Sequence, residues 1–426
     1  MSAVKTPSSK AMTSPSPHVA HHPADQQQVA DLVASSFAAN TPVYTTGGGT
    51  SLDYGLVAKE SGAALHLGAL KQVIDYPARD MTITVEAGLT FAELAAILAQ
   101  ERQQLPFDPP QAAQATLGGI VALNHNGPRR FGHGAVRDFV IGITAVNGRG
   151  QVFHGGGRVV KNVAGYDFCK LLTGSFGTLG VITQLTFKVR PLPEKSLLVM
   201  TDLVNEAAAE AQLSALMVSS AATPVAIELL RGPQWQSRPE FRGLPSLGTP
   251  AGLALVARLE GTAVEVDWMA GQLEREFRAA GRTRVETLAA DESLWREIVE
   301  FSALPDSPLV VKAQTAPSGV TAVLRAAREL DPEVSVLAHA GQGTTWIRFP
   351  SFPEKGITAA VVGRLQPVAA AYDGSVVVAA NPTGAEATRQ CVWGAVGPAG
   401  EWMTEVKKRF DPRNILNRGR FIYPGL

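Results

Sequence analysis

The chain has 426 residues, 45% apolar and 18% charged, so it can bury a substantial core and, at about 150 residues per domain, form two or three domains. Lys plus Arg (38) equal Asp plus Glu (38) and no long basic run occurs, which argues against nucleic-acid binding. The two cysteines, Cys169 and Cys391, cannot build a disulfide framework or supply the four thiolates of an iron–sulfur cluster, and they fit a reducing compartment.

The N-terminal segment is rich in Ser, Pro, Thr and His and has no apolar stretch, so it is not a secretory signal. We expect residues 1–24 to be a disordered tail, because they cannot bury enough surface to offset their chain entropy. The cluster His18, His21 and His22 is more typical of a solvated tail than of a metal site. No run of 18 or more apolar residues is free of charges and turn residues, so no membrane-spanning helix is predicted.

Ordered structure is expected from about Asp25, where apolar residues at helical spacing predict a first helix that ends before Pro42. Thr90 and Glu93 form the sequence pattern of a capping box and predict a second helix. Alternation of apolar and polar residues predicts strands in the same region. These strands are residues 43–45, 64–67, 73–76, 82–86, 141–146, 151–154 and 181–189.

Pro191 and Pro193 predict a domain boundary, since two prolines in three residues end both pairing and helix. Beyond them strands alternate with longer helices, which predicts a sheet layered with helices, an α+β arrangement. The predicted strands are residues 197–201, 225–230, 253–259, 309–313, 334–339, 344–349 and 375–379. The predicted helices are residues 206–217, 263–280, 320–330, 356–371 and 401–410.

A glycine-rich segment, Thr45-Thr46-Gly47-Gly48-Gly49-Thr50-Ser51, directly follows the first predicted strand. Consecutive glycines allow positive φ and close approach to a ligand, and successive N–H groups of such a loop can bind an anion such as diphosphate. The chain has no G-x-x-x-x-G-K-[ST] motif, so the segment is not a P-loop for ATP. It also has no G-x-G-x-x-G motif after a strand, the sequence signature of a Rossmann nucleotide-binding fold. Alone, such a segment is more often an ordinary turn than a ligand site.

Two later segments are dense in Gly, Asn and Thr. The first is residues 115–138, and the second is residues 165–183, in which glycines recur every three residues and lead into an apolar strand. Such density inside a folded region indicates backbone that lines a bound molecule, although an irregular surface loop would share it. The three segments in this order are more specific than any one of them.

Together these segments resemble the FAD-binding domain of the vanillyl-alcohol oxidase/PCMH flavoprotein family, over about residues 41–193 and more weakly at the C-terminus. The resemblance implies an α+β fold with a PCMH-type FAD-binding domain of two α+β subdomains, an α+β cap domain, and a C-terminal segment that returns to the FAD domain. We therefore expect the tail at 1–24, the FAD-binding domain at 25–193, the cap or substrate-side domain at 194–398, and the returning helix and tail at 399–426.

The resemblance also implies which residues contact FAD. The diphosphate would be held by Gly47, Gly48, Gly49, Thr50 and Ser51. The diphosphate and ribityl region would be lined by Thr116, Gly118, Gly119 and Gly127. The adenine and ribityl end would be contacted by Gly177, Thr178, Gly180 and Ile182.

Within that family the chain is similar to the FAD-binding E subunits of glycolate oxidase, also called glycolate dehydrogenase. Residues 126–138 and 158–167, and Phe410-Asp411-Pro412-Arg413 with Asn417, carry this likeness. It implies a subunit that helps to oxidise glycolate, a small 2-hydroxy acid, to glyoxylate and passes electrons to a D-type flavoprotein subunit and an iron–sulfur subunit. We expect a cytoplasmic protein that reaches a membrane only through such partners.

The chain departs from the family pattern at two places. Thr50 stands where members with covalent histidyl flavin have His, so noncovalent FAD is expected. Related 2-hydroxy-acid dehydrogenases carry His-Ala-Gly-Asp-Gly-Asn-x-His, whereas here the run from His339 has Gln342 in place of the acid and ends in Trp346. One imidazole cannot form a divalent-metal site, so no metal is predicted, and His339 is expected to be structural rather than catalytic. Cys169 is expected to be a packed side chain.

The sequence leaves the catalytic residues unknown and two alternative functions open. A stand-alone FAD-dependent 2-hydroxy-acid dehydrogenase of the D-lactate type would need a base and a carboxylate-binding cation. Candidates for these roles are Arg129, Arg130, His133 and His339. The other alternative is a flavin-binding scaffold subunit without catalysis of its own.

Overall fold

The described part of the N-terminal region contains ten short strands. The structure, a computed structural model, describes residues 19–157, 166–289, 292–304 and 307–423, so the predicted motif at 158–165 lies outside the described residues. The strands are β1 (Val19–His21), β2 (Val43–Thr46), β3 (Ala63–His66), β4 (Val73–Asp75), β5 (Thr82–Glu86), β6 (Gln103–Gln104), β7 (Val140–Val146), β8 (Val152–Gly156), β9 (Val181–Lys188) and β10 (Arg190–Pro191).

These strands form two main sheets, as expected for two α+β subdomains. The smaller sheet is parallel with the order β1-β3-β2, and the larger is antiparallel with the order β4-β5-β9-β7-β8. A two-stranded pair, β10-β6, joins the end of this region to its middle. The order places the loop after β2 and the start of β9 near one another, at the edge where the cleft described below opens.

Six helices accompany the sheets within the described part of this region. They are α1 (Gln26–Ala39), α2 (Phe91–Gln100), α3 (Leu117–Leu123), α4 (Arg130–His133), α5 (Val136–Phe139) and α6 (Phe168–Leu172). Asp25 caps α1 and the predicted capping box of Thr90 and Glu93 is confirmed at α2. Because α3, α4 and all of α5 except Phe139 lie within residues 115–138, that segment is largely helical and not an irregular surface loop.

The expectation of a disordered tail at 1–24 is wrong for its last residues. Val19–His21 pair in parallel with Ala63, Ala64 and Leu65 of β3, and the ring of His22 stacks on that of His66 at 4.8 Å. The strand is held by backbone hydrogen bonds while its side chains are mostly exposed, so a composition poor in apolar residues does not reveal it. Residues 1–18 lie outside the described residues.

The C-terminal region is dominated by one antiparallel sheet of eight strands, here called the large sheet. Its order is β14-β11-β13-β12-β16-β17-β15-β18. The strands are β11 (Lys195–Leu203), β12 (Ala226–Arg231), β13 (Leu253–Gly261), β14 (Val285–Ala289), β15 (Leu309–Gln314), β16 (Ser335–His339), β17 (Thr344–Phe349) and β18 (Ser375–Ala380). All but β14, a half-exposed edge strand, match predicted strands.

Helices cover the large sheet. They are α7 (Glu206–Val218), α8 (Pro233–Gln236), α9 (Ala263–Ala279), α10 (Glu292–Glu300), α11 (Val320–Leu330), α12 (Gln366–Ala370) and α13 (Arg389–Trp393). The last helix, α14 (Gly400–Phe410), packs instead against the core of the N-terminal region through Met403, Val406 and Phe410. The predicted helix 356–371 is instead a π-helical segment, Thr358–Leu365, followed by α12. Pro367 explains the difference, because it has no N–H group to continue an α-helical ladder.

The two faces of the large sheet have different partners. One face packs against α7, α9 and α11 through a large apolar core that includes Leu213, Phe277 and Leu324. The other face packs against α8 and α10 and turns toward the N-terminal region, where Gly132 of α4 donates its N–H to the carbonyl of Val225 at 2.9 Å. The second face therefore meets the elements that follow α3.

The C-terminal segment returns to the N-terminal region. Val43 of β2 donates its N–H to the carbonyl of Ile415 at 2.8 Å, and Asn417 donates its own to the carbonyl of Val43 at 2.8 Å. The buried ammonium of Lys407 fixes the turn by donating to Asp411 at 2.6 Å and to the carbonyl of Leu416 at 3.1 Å. This brings residues 417–420 to the glycine-rich loop after β2.

Candidate functional site

A cleft opens in the N-terminal region where β2, α3 and β9 meet the returning C-terminal segment. It contains about 900 Å³ of space, part of it open to solvent. The structure brings most of the predicted binding residues together here. Those that line the cleft are Gly47, Gly48, Gly49, Thr50, Ser51, Thr116, Gly118, Gly119, Gly177, Gly180 and Ile182.

The glycine-rich loop offers free backbone donors to the cleft. In the part of the chain that the structure describes, no hydrogen-bond acceptor is found for the five N–H groups of Gly47 through Ser51. Gly49 has a φ of 73°, a conformation that glycine adopts without strain. Consecutive unpaired N–H groups form a concave site for an anion. The loop is thus equipped for a ligand such as a diphosphate.

Gly47 and Gly48 are required for another reason, which is the close approach of a neighbouring segment. A Cβ atom on Gly48 would lie 1.6 Å from the carbonyl oxygen of Gln114, and one on Gly47 would lie 2.0 Å from Thr116 Oγ1. Neither glycine has a positive φ. Of the three glycines only Gly49 uses the conformational freedom that the sequence suggested, and the other two are needed for chain packing.

The start of α3 forms the wall opposite the loop. Thr116 Oγ1 accepts the N–H of Gly119 at 3.4 Å, and the N–H of Gly118 donates to the carbonyl of Ala87 at 2.8 Å. A Cβ on Gly118 would lie 2.9 Å from that of Ala87. Because these N–H groups are already used, Thr116, Gly118 and Gly119 give the cleft its shape and the glycine-rich loop gives it its donors.

The wall at residues 176–182 is fixed by Asn417. Its side chain donates from Nδ2 to the carbonyl of Phe176 at 2.6 Å and accepts the N–H of Thr45 on Oδ1 at 3.1 Å. Gly177 has a φ of 64°, and a Cβ there would lie 2.8 Å from Asn417 Nδ2. One C-terminal side chain therefore holds together two walls that are far apart in sequence.

Thr178 and Gly127 lie apart from the other predicted residues. Thr178 is only 1% exposed, and its hydroxyl lies 2.6 Å from that of Tyr423 and donates to the carbonyl of Ser175 at 2.5 Å. The structure thus places Thr178 inside the core, where a bound molecule would not touch it. Gly127 lines a different cavity, and a Cβ there would lie 2.4 Å from the Cβ of Asp108.

This second cavity, of about 210 Å³, lies between the N-terminal region and the large sheet. Its walls come from the loop after α3, from α10 and the residues behind it, and from β16 and β17. The lining residues are Asp108, His125, Asn126, Gly127, Pro128, Ile298, Val299, Ser302, Leu337, His339 and Trp346. We refer to the two sites below as the cleft and the cavity.

A carboxylate–imidazole pair forms one side of the cavity. The antiparallel register of β12 and β16 places Glu228 opposite His339, and Glu228 Oε2 lies 2.6 Å from His339 Nδ1. Both side chains are buried, and in the described residues Glu228 Oε1 has no partner. Burial raises the pKa of Glu228, while His339 counteracts this shift. A carboxylate on Nδ1 orients the ring and leaves Nε2 as the nitrogen that can serve a ligand.

A second group of side chains surrounds Trp346. The rings of His125 and Trp346 stack with their centroids 6.2 Å apart, and Lys312 Nζ lies 5.3 Å from the Trp346 centroid. Burial lowers the pKa of His125 to about 3 and, aided by Arg130, the pKa of Lys312 to about 8. At neutral pH the imidazole of His125 is therefore neutral, whereas most of the Lys312 is cationic. Among the described residues no carboxylate pairs with Lys312.

Arg129 and His133, two of the candidate catalytic residues, belong to an ion cluster beside the cavity. Arg129 pairs with Asp108 at 2.9 Å and with Glu260 at 3.4 Å, and Glu260 also lies 3.0 Å from His133 and 2.7 Å from Arg258. Burial alone would raise the pKa of Glu260, but the hydrogen bond with His133 and the two arginines lower it to about 2. The cluster joins the N-terminal region to the large sheet, so these side chains are used for assembly.

Two family models match the chain, one in each region of the fold. The FAD binding domain model matches residues 17–156, and the model for the C-terminal domain of FAD linked oxidases matches residues 192–421, more than half of the chain. The chain belongs to the FAD-linked oxidase family. It is an FAD-dependent oxidoreductase, and the free N–H groups of the glycine-rich loop suit the diphosphate of that cofactor.

Relatives with assigned names include glycolate oxidase subunits and D-lactate dehydrogenases. Glycolate oxidase subunit GlcE of Escherichia coli is 35% identical over 198 residues, which is 45% of this chain and little more than half, 56%, of that subunit. Glycolate oxidase subunit GlcD of Bacillus subtilis is 25% identical and covers 94% of this chain and 88% of its own length. A mitochondrial D-lactate dehydrogenase (cytochrome) of Arabidopsis thaliana is 26% identical, with coverage of 96% and 74%.

Solved structures share the fold. An alkyldihydroxyacetonephosphate synthase superposes with a TM-score of 0.68 at 16% sequence identity, over 94% of this chain and 75% of that one. With the two family matches, this confirms the predicted α+β fold of an FAD-binding domain followed by a cap domain. In the described ranges no helix is long and apolar enough to cross a membrane.

Three functional side chains were missed in the sequence: Glu228, Lys312 and Arg420. Glu228 and Lys312 each interrupt a run of buried apolar strand residues. A charged residue inside such a run is costly unless it has a partner or a function, and that signal could have identified both. Arg420 lines the cleft, but nothing in its local sequence distinguishes it from the neighbouring arginines.

Proposed function

We propose that this chain oxidises a small 2-hydroxy acid to the corresponding 2-oxo acid. The observation that carries the proposal is the position and content of the cavity. It begins where the cleft ends, since Leu123 lines the cleft and His125, two residues later, lines the cavity. His339, whose imidazole is oriented by Glu228, lines the cavity and can act as the proton acceptor of such an oxidation. The ammonium of Lys312 lies against Trp346 in the cavity wall, has no carboxylate partner among the described residues, and can act as the carboxylate-binding cation.

His339 would accept the proton of the substrate hydroxyl on Nε2. Glu228 holds Nδ1 at 2.6 Å and would stabilise the imidazolium that forms, as a carboxylate does in other carboxylate–imidazole pairs. FAD supplies the acceptor for the hydride that leaves C2 of the substrate. Loss of this hydride and of the hydroxyl proton yields the 2-oxo acid. The proposal replaces the purely structural role expected for His339, because its buried partner Glu228 was not recognised in the sequence.

Lys312 would bind the substrate carboxylate. Its ammonium lies beside Trp346, which lines the cavity, and no carboxylate in the described part of the chain neutralises it. His125 is neutral at physiological pH and can donate a hydrogen bond from its ring without competing for the anion.

We propose that FAD is held noncovalently at the predicted residues that line the cleft. None of the described residues that line the cleft is His or Cys. These are the residue types to which flavin is covalently attached in some members of the resembled family. Acid precipitation should release the flavin into the supernatant. Flavin that remains in the pellet would contradict this part of the proposal.

We also propose that the electrons leave through partner subunits. Both cysteines are buried free thiols, so the chain cannot hold an iron–sulfur cluster. Two of the similar proteins are named as subunits of glycolate oxidase, which supports membership of a complex. The partners that we propose are the two that the sequence resemblance implies, a D-type flavoprotein and an iron–sulfur subunit. Reduced cysteines fit a cytoplasmic complex. The D-lactate dehydrogenases that match over nearly the whole chain support a second candidate, a stand-alone dehydrogenase.

One experiment tests the proposed reaction and separates these candidates. The holoprotein is incubated with glycolate or D-lactate and a soluble dye as acceptor, alone and with co-expressed partner subunits, and the 2-oxo acid is quantified. We expect glyoxylate or pyruvate in proportion to reduced dye, with faster turnover in the complex. Equal turnover of the chain alone would favour the stand-alone enzyme. No 2-oxo acid under either condition would contradict the proposed function.

A further inference from the structure

The cleft contains very little charge for a site that holds an anionic cofactor. Among the described residues that line it, Arg420 is the only one with an ionised side chain, and the rest are glycines, hydroxyl residues, one amide and apolar residues. The glycine-rich loop also lacks the lysine that follows the glycines of a P-loop. A phosphate group in a partly buried site needs hydrogen bonds and a compensating charge. Arg420 is the one group in the lining that can supply that charge.

Arg420 is held in a fixed position next to the glycine-rich loop. Its Nη2 donates to the carbonyls of Leu52 at 2.6 Å and Tyr54 at 2.8 Å, and its own carbonyl accepts the N–H of Leu56 at 3.1 Å. These residues directly follow the loop at 47–51. Both contacts are made by Nη2. The other two nitrogens, Nε and Nη1, have no acceptor among the described residues, and neither is fully buried.

The charge of Arg420 persists in this environment. Burial lowers its pKa and the carboxylate of Asp53 opposes that shift, but a guanidinium starts from a pKa so high that it stays protonated at every physiological pH. No ion pair neutralises it in the described part of the chain. The N–H groups of Nε and Nη1 can each donate a charge-assisted hydrogen bond to a phosphate oxygen.

The neighbouring arginines show that this placement is particular to Arg420. Arg418 pairs with Glu60 at 2.8 Å, and Arg413 donates to the carbonyls of Phe37 and Ala38. Neither lines the cleft. Gly419, with a φ of 76°, forms the turn between Arg418 and Arg420. Arg418 therefore provides a matched control of the same residue type, two positions away.

We propose that Arg420 binds the diphosphate of FAD, with Nε and Nη1 on phosphate oxygens and Nη2 fixing the end of the glycine-rich loop. The C-terminal segment then has two functions at the cleft. Asn417 holds the walls together, and Arg420 contributes the charge. FAD affinity depends on a residue about 370 positions from the glycine-rich loop, far outside the segment that the FAD binding domain model matches.

FAD titration of the apoprotein tests this assignment without any substrate, so its result is independent of the proposed reaction. The dissociation constant is measured from flavin fluorescence at low and high salt for the wild type, Arg420→Gln, Arg420→Lys and the control Arg418→Gln. We expect Arg420→Gln to bind FAD about tenfold or more weakly, as for loss of a charge-assisted hydrogen bond, and Arg420→Lys to recover part of this loss. Arg418→Gln should bind like the wild type, and salt should weaken wild-type binding more than that of Arg420→Gln.

Two results would overturn the proposal. One is wild-type affinity in Arg420→Gln. The other is an equal loss in Arg420→Gln and Arg420→Lys that does not depend on salt, which would assign Arg420 to loop packing alone. If Arg420→Gln does not fold, the salt dependence of FAD binding by the wild type tests the proposal. A wild-type FAD affinity that does not change with salt would contradict a contribution of the Arg420 charge to binding.

Discussion

The cleft and the cavity lie next to each other, but backbone groups form most of the cleft and side chains form most of the cavity. The cleft is formed by backbone: free N–H groups in the loop at 47–51, glycines that allow segments to approach, and one cation, Arg420. The cavity is formed by side chains that neighbouring strands of the large sheet place opposite one another, such as Glu228 and His339. Binding by backbone groups suits a cofactor whose diphosphate is always the same. Binding by side chains suits a substrate, because substitution of single residues can change which substrate is bound.

This difference predicts how each site fails when it is mutated. A change in the cleft should remove the flavin and thereby every activity. A change in the cavity should leave the flavin bound and alter only the reaction with substrate. The predictions below test this division, from the largest expected effect to the smallest.

Gly48→Ala should abolish most FAD binding. The new Cβ would lie 1.6 Å from the carbonyl oxygen of Gln114, so the loop or the segment before α3 must move, at a cost of about 3 kcal/mol. The ratio of flavin absorbance to protein absorbance measures the effect. Gly68→Ala is the control, since a Cβ there meets no atom within 4 Å. A Gly48→Ala protein with full flavin content would show that the packing of the loop is not as described.

Lys312→Met should raise the KM for the 2-hydroxy acid by about 100-fold while FAD content stays unchanged, as expected for loss of a buried carboxylate contact worth about 2–3 kcal/mol. Because the pKa of Lys312 is about 8, the wild-type KM should also rise as the pH increases beyond 8 and the ammonium loses its proton. Lys312→Arg keeps the charge and should flatten that pH dependence. An unchanged KM in Lys312→Met would remove Lys312 from the site.

Glu260→Gln should destabilise the fold by about 3 kcal/mol, because Arg129 and Arg258 lose a buried counter-charge. The folded-state pKa of about 2 lies below the ordinary 4.5, so the carboxylate stabilises the wild type fully above pH 4.5 and this contribution is lost as the pH falls toward 2. Urea unfolding at several pH values should therefore show a difference between the two proteins that shrinks in acid. Glu274→Gln, in an exposed pair with Arg278, is the control and should change stability by less than about 1 kcal/mol.

Trp346→Ala should alter the preference among substrates by about tenfold. The indole is 4% exposed and lines the cavity, so its removal makes space for a longer side chain on the acid. The ratio of kcat/KM for 2-hydroxyhexanoate to that for glycolate should rise, with FAD content unchanged. A constant ratio would mean that Trp346 does not limit substrate size.

The sequence predicts the cleft better than the cavity, for a physical reason. Glycines must follow one another where the backbone binds or approaches closely, so the loop at 47–51 and the positions Gly118 and Gly177 are visible as local patterns. The register of the large sheet is not local: Glu228 and His339 are 111 residues apart and become partners only when β12 and β16 pair antiparallel. Arg420 was missed for the same reason, since only the return of the C-terminal segment brings it to the loop.

The same distinction holds for the fold. Strand β17 has the predicted bounds, and α2 begins at the predicted capping box. Strand β1 and the π-helical segment Thr358–Leu365 were not predicted, because one depends on a distant partner strand and the other on a local shift in hydrogen bonding before Pro367.

The measurement that tests the account most directly is the anaerobic visible spectrum of the holoprotein before and after addition of glycolate, for the wild type, His339→Asn and His154→Asn. His154 is an exposed histidine on β8 and serves as the control. All three proteins should show the same flavin band, and glycolate should bleach it in the wild type and in His154→Asn but about 10²–10⁴-fold more slowly in His339→Asn. Bleaching of His339→Asn at the wild-type rate, or loss of its flavin band, would contradict the division between a cleft that binds FAD and a cavity that acts on the substrate.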